Sequence, residues 1–444
     1  MLKVWTSTLP AAFALLLFGT QAAAQSPNAR TSPTIPPITA NVRNILVPVL
    51  VTNKHGHPIS DLQRSDFTVF EDGVPQQILA FSKTYSASLD AFNLPASGGR
   101  HANPTVKIGP NSPIRNYLVC VDTLHSNLGD VDGAQHALTK FFRKERDPKA
   151  QYALMILGRN IEVIQDATRD PSAILSALKS KKFQSGVADG EASNIPFQAE
   201  QLQRMLKGTS PEACKGVNAC MALKRRVRSY IDKSANRTAL LTRDFLRELT
   251  SIINAMASMP TERTLILISD GFNLAPGEEL YGIASAYFPD DPEWRMNPRQ
   301  TQPMLDEILR LAEKDNVVVY GLDSHGVYAP SAEFLGASHE GDPYGRSQGA
   351  VQMMMTTEAA IAYQNGSALA QLASATGGIY FENHNRLLGG LQRAFNDERV
   401  RYLIAYSPSN QTADGHYRKI RVAVKGKKLR VYAKAGYWAP GSGR

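Results

Sequence analysis

Two apolar runs, each stopped by an aspartate, limit what this chain can fold into more than any other feature. Tyr117-Leu118-Val119-Cys120-Val121 ends at Asp122, and Leu265-Ile266-Leu267-Ile268-Ser269 ends at Asp270-Gly271. Runs this apolar, without polar alternation, read as strands covered on both faces, the arrangement of a parallel sheet between two helical layers. The surrounding pattern agrees. Val131 to Lys144 repeats apolar residues at Ala134, Ala137, Leu138 and Phe141, as an amphipathic helix does. Tyr152 to Leu157 and Ile161 to Ile164 continue the sheet, and Asp170-Pro171 starts a short helix reaching Leu178. Later strands are expected at Arg263 to Ser269, Asn316 to Leu322 and Gly378 to Phe381. Helices are expected at Leu241 to Met256, Leu305 to Ala312, Ala368 to Ala373 and Leu387 to Phe395. The expected fold class is therefore α/β, a doubly wound and mostly parallel sheet over about residues 115–397.

Smaller β units flank it. Asn44 to Thr52 is β-rich, and Phe67 to Glu71 leads into the hairpin signal Asp72-Gly73, with Gln77 to Phe81 as the expected returning strand. Residues 39–83 form this N-terminal unit, and residues 84–114 read as a linker. Residues 398–438 return to β signals at Tyr402 to Tyr406, Lys419 to Val424 and Leu429 to Tyr432, as a meander that can pack beside the first unit. Two insertions interrupt the α/β order: a basic, helical one at 181–236, which can run on into the Leu241 helix, and one at 324–364 with little periodicity.

The chain begins Met1-Leu2-Lys3, continues with an apolar stretch from Leu9 to Gly19, and reaches Ala22-Ala23-Ala24 before Gln25. That order predicts a cleavable secretory signal over 1–24, a Ser- and Pro-rich tether over 25–38, and a secreted or periplasmic product with no transmembrane helix after cleavage. Export permits disulfides. Cys214 and Cys220 lie in one polar loop and can close a small ring, two free thiols being the alternative, whereas Cys120 reads as a buried core thiol. No further Cys or His stands at zinc spacing.

The formal charge of +9 is unevenly placed. Nine Lys/Arg residues between Arg204 and Arg237 face only Glu212 and Asp232, so the first insertion can contact anionic surfaces. Export argues against nucleic acid as a partner.

An apolar strand ending in Asp, followed by a loop with small hydroxyl residues, sets oxygen ligands for a hard cation. Here the chain resembles the von Willebrand factor A (VWA) family, whose metal pattern is Asp-x-Ser-x-Ser, a Thr in a later loop, and a strand-terminal Asp-Gly. Asp122 matches the first Asp, Ser126 the second Ser, and Asp270-Gly271 the terminal pair. Ser193, in Ala192-Ser193-Asn194-Ile195, is similar to the family's loop Thr. Leu124 stands where the pattern has its first Ser, which removes one oxygen ligand. The resemblance implies a Mg²⁺ adhesion site at Asp122, Ser126, Ser193 and Asp270, weakened or lost through Leu124. His125 is either a nitrogen ligand for a transition metal or a packed loop histidine. Over nearly the whole mature chain, Glu71-Asp72-Gly73 and the tail to Ala435-Gly436-Tyr437 look like the secreted VWFA-related proteins abundant in acidobacteria.

No His-Glu-x-x-His, Cys-x-x-Cys or phosphate loop occurs. Neighbours such as Asp323-Ser324-His325 cannot make triad geometry, and Asn127 to Gly133 lacks the bidentate Glu of a calcium loop. The sequence therefore predicts a non-enzymatic binding or scaffold protein that meets an acidic side chain of a protein partner at the strand ends. A metal-independent structural envelope protein and an envelope enzyme using the inserted loops are the alternatives.

Overall fold

The computed structural model describes residues 44–83, 115–188, 195–206, 214–215, 218–259, 262–288, 290–295, 301–324, 363, 365–382 and 387–441. The expected signal, tether and linker, together with Ser193 and His325, lie outside these residues.

Four strands come first: β1 (Ile45–Thr52), β2 (Phe67–Glu71), β3 (Val74–Gln76) and β4 (Ile78–Lys83). Asp72 and Gly73 both take positive φ, +48° and +85°, and close a two-residue turn between β2 and β3. Such a turn sends the chain straight back, so Val74 rather than Gln77 begins the returning strand. The expected return over Gln77 to Phe81 is instead largely β4, which belongs to a different sheet.

The α/β unit follows, with β5 (Arg115–Asp122), α1 (Leu128–Phe142), β6 (Ala150–Leu157), β7 (Ile161–Thr168), α2 (Pro171–Leu178) and α3 (Lys181–Ala188). Next come α4 (Ile195–Leu206), α5 (Met221–Ala257), β8 (Glu262–Ser269), α6 (Glu278–Tyr287), α7 (Gln302–Asp315) and β9 (Val317–Asp323). A helix at 365–376 (α8), β10 (Tyr380–Phe381) and α9 (Leu387–Arg399) complete it. The end of the basic insertion, from Met221, and the Leu241 helix are one 37-residue helix, α5.

The six strands lie in the order β10-β9-β8-β5-β6-β7, parallel except for β7. Three residues separate β6 from β7, far too few for the crossover that a parallel neighbour requires, so β7 runs antiparallel at the edge. Side chains of β5 alternate between two cores. Tyr117, Val119 and Val121 pack with α1, α2 and α9, while Leu118 and Cys120 pack with α5, α7 and α8. This is the doubly wound α/β architecture expected from the apolar runs.

The remaining strands are β11 (Tyr402–Tyr406), β12 (Tyr417–Val424), β13 (Arg430–Ala433) and β14 (Gly436–Trp438). They interleave with the first four in two antiparallel sheets, β13-β1-β11-β4 and β14-β12-β2-β3. Val47, Val49, Val69, Ile404, Tyr406 and Ile420 are among the residues of their shared core. The strands before and after the α/β unit thus build one sandwich.

Candidate functional site

Register decides which groups meet at the carboxyl ends of the strands. Val121 pairs with Ile268, which puts Asp122 level with Ser269, and Ser269 pairs with Asp323 on the far side. The Ser269 hydroxyl therefore donates to Asp122 Oδ2 at 2.6 Å. The chain turns sharply after Asp122, and the backbone N–H groups of Leu124 and His125 both donate to Asp122 Oδ1, at 2.9 and 3.2 Å. The His125 imidazole folds back as well, with Nδ1 3.0 Å from Asp122 Oδ2. Asp122 is 0% exposed and carries four donors, about as many as a carboxylate has lone-pair sites.

Ser126, Asp270 and Ser324 form the second half of the site. Ser126 Oγ accepts from the Asp270 backbone N–H at 3.0 Å and lies 3.2 Å from Ser324 Oγ. Ser324 in turn donates to Asp270 Oδ1 at 2.6 Å, and the Asn127 backbone N–H donates to Asp270 Oδ2 at 3.3 Å. Asn127 also caps α1, its side chain accepting from the Asp130 N–H at 3.0 Å. Ser269 links the halves through its hydroxyl on Asp122 and its backbone leading into Asp270. Gly271 must be glycine here: its φ is +88°, and a Cβ would come within 2.4 Å of the Asn365 carbonyl oxygen.

Leu124, standing at the lacking serine, does not face this network. It is 1% exposed and belongs to the core cluster that includes Phe245 and Phe272. His125 lies edge-on to Phe245, 4.8 Å between ring centres, and its Nε2 is buried without a partner among the described residues. It is thus a packed loop histidine bound to Asp122. Near the mouth, burial and then the charges of Asp323, Glu382 and Asp270 push the Tyr380 phenol well above its usual range, so it keeps its proton.

Ser126 and Asp270 therefore come together, and Asp122 joins them through Ser269; Ser193 falls outside the described residues. Ser269 and Ser324 were not singled out as site residues in the sequence, although each is a hydroxyl residue at or just beyond a strand end. Among the described residues, no three His, Cys, Asp or Glu side chains converge on one metal position. A cation ligated directly by Asp122 would displace one of the four donors seated there.

The first insertion carries the pair foreseen in its polar loop: Cys214 and Cys220 form a disulfide, and Cys120 is a buried free thiol. Burial raises that thiol far above its usual range.

No family model matches the chain, and no curated protein sequence matches it. Solved structures do. An aerotolerance-related membrane protein from Bacteroides fragilis is 11% identical, covering 64% of this chain and 98% of that one, at a TM-score of 0.29. BatB from Bacteroides thetaiotaomicron is 12% identical over 64% of this chain and 98% of its own, at 0.26. Proximal thread matrix protein 1 from the mussel byssus is 9% identical over 67% of this chain and 49% of its own, at 0.30.

Proposed function

We propose that the α/β unit is a non-catalytic protein-binding module of the VWA type, whose strand-end face docks its partner without a bridging cation. The observation that carries this reading is the set of four donors on Asp122. In a metal-bridged dock the cation keeps one coordination position for the partner's carboxylate. Here hydrogen-bond donors occupy Asp122, and a partner carboxylate would meet Asp270 as like charge. Recognition then falls to the rim. Leu128, the first residue of α1, is 64% exposed, and Tyr363, two residues before the backbone that packs on Gly271, is 79% exposed. Exposed apolar side chains ringed by polar groups make good anchors.

Export fits the same reading. The Cys214–Cys220 disulfide is chemistry of an oxidising compartment, and no helix among the described residues is long and apolar enough to cross a membrane. Arg225, Arg226, Lys233 and Arg243 lie exposed along α5 and would steer anionic surfaces towards the protein.

Calorimetry of the full chain with Mg²⁺ and with Mn²⁺ is expected to give no saturable heat. A saturable isotherm that vanishes in Asp270→Ala would sink the cation-free reading. The docking face has its own test, in which the tagged protein retains a partner from envelope extract with or without EDTA and Leu128→Asp releases it. Retention that survives Leu128→Asp would remove this face from the mechanism.

A further inference from the structure

One end of the sandwich displays charge of a single sign. Asn53-Lys54-His55-Gly56-His57 leaves β1, and Lys425-Gly426-Lys427-Lys428-Leu429-Arg430 leads from β12 into β13. β1 and β13 are antiparallel, with Thr52 opposite Arg430, so the exit of one strand and the entry to the other lie side by side. Register thus brings Lys54 to the same end as Lys425, Lys427, Lys428 and Arg430. All five cations are exposed, and neither segment holds an acid.

Both segments are held in place by the sandwich. The Asn53 N–H donates to the His57 carbonyl at 2.9 Å, and the Asn53 side chain accepts from the His55 and His57 N–H groups at 2.9 and 3.0 Å. In the second segment the Lys425 N–H donates to the Asp66 carbonyl at 2.9 Å, and Leu429 packs against the sandwich core. Lys428 takes φ +62°, a region that glycine or asparagine enters at lower cost. A cation therefore sits where the turn itself asks for none.

This charge is not neutralised within the fold. Among the described residues, no ion pair or side-chain hydrogen bond engages the five cations. Asp66, whose carbonyl meets Lys425, turns its carboxylate to the Gln63 N–H at 2.7 Å in its own turn. The basic face of α5 differs, because Asp232 and Asp244 stand on that helix and pair with Arg228 and Arg247.

We propose that this end of the sandwich docks the molecule on an anionic phospholipid surface, the five cations meeting lipid phosphates. Neither segment contains a Trp, Tyr or Phe on which a sugar ring could stack. Cations on loop tips, four of the five on the long stems of lysine, suit a plane of phosphates that can gather beneath them. Each Lys or Arg near such a surface strengthens attachment about fivefold. The docking end stands apart from the Asp122 face and does not depend on it.

Co-sedimentation of the full chain with vesicles tests the assignment, using phosphatidylglycerol and phosphatidylcholine in equal parts against phosphatidylcholine alone. Binding is expected to the anionic vesicles and to fall about tenfold or more from low to high salt. Lys425→Glu combined with Lys427→Glu is expected to weaken it about tenfold or more, and Lys54→Glu about fivefold, with circular dichroism unchanged. Arg225→Glu combined with Arg226→Glu, on α5, is the control and is expected to keep its affinity within about threefold. Undiminished binding by the Lys425→Glu and Lys427→Glu protein would overturn the proposal, as would equal binding to neutral vesicles or a loss confined to the α5 variant. Retention on alginate without binding to anionic vesicles would overturn it too and make the partner an anionic glycan.

Discussion

Glu279, in the first turn of α6, is almost wholly out of water; Asn273 donates to one carboxyl oxygen, and the other has no partner among the described residues. Burial, with the charge of Glu278 added, raises its carboxyl from the usual 4.5 to about 7. The folded state therefore binds this proton more tightly than the unfolded chain does. Its contribution to stability is greatest at low pH, declines as pH rises through roughly 4.5 to 7, and is flat above that range. Glu279→Gln is expected to match the wild type near pH 4 and to exceed its stability at pH 8 by about 1–3 kcal/mol, as measured by denaturant unfolding across pH. A variant less stable than wild type at pH 8 would refute the assignment. Asp122 and Asp270 could be placed at strand ends because each stops an apolar run, whereas Ser126 was singled out through the resemblance to the VWA pattern. Ser269 and Ser324 gain their roles from strand register, which spacing does not carry. His125 was left between ligand and packing because one residue in a loop says nothing about the direction of its ring.

The element that joins the two architectures is α9, leading directly into β11. Arg401, between them, is 3% exposed; it donates through Nε to Glu398 at 2.8 Å, to the Gly377 carbonyl at 2.9 Å and to the Tyr320 hydroxyl at 2.7 Å. Thr264 of β8 reaches the other Glu398 oxygen at 3.2 Å, so this one network ties sheet, helix and sandwich together. Arg401→Met leaves Glu398 buried without its counter-charge and is expected to cost about 3–5 kcal/mol. Thermal and denaturant unfolding measure this, and a loss below about 1 kcal/mol would mean that Glu398 finds another partner. The strands of the parallel sheet could be read from sequence because each is apolar throughout. The antiparallel course of β7, to which the sequence reading gave no direction, follows from its three-residue connection. The exchange of partners between the first and last strands was not readable, because alternation marks a half-buried strand without naming its neighbour.

At the scale of the whole molecule, a helical satellite stands on the α/β unit. Leu202, Val227, Ile231, Leu280, Phe288 and Trp294 share a core separate from the two on the sheet, and the disulfide lies against it through Cys214. A buried ion pair, Lys224 Nζ to Asp291 Oδ2 at 3.2 Å, joins α5 to the segment after α6. Replacing both half-cystines by serine is expected to destabilise this satellite by about 2 kcal/mol. Amide exchange should then quicken in α4 and the first half of α5, while β5 and β8 keep their protection. Equal acceleration in the central strands would show that the satellite does not open on its own. The interleaved sandwich carries a different consequence, one of timing. Glu71 accepts from the Tyr406 hydroxyl at 2.7 Å across 335 residues of sequence, so the first strands to be synthesised wait, edges unpaired, for nearly the last. The intervening α/β unit can fold from its own local contacts, and in doing so it shortens the loop the sandwich has to close. A chain stopped before β11 would keep its parallel sheet and leave β1, β4 and the β2–β3 hairpin without their partners at its front, a form suited to recognition by chaperones and proteases.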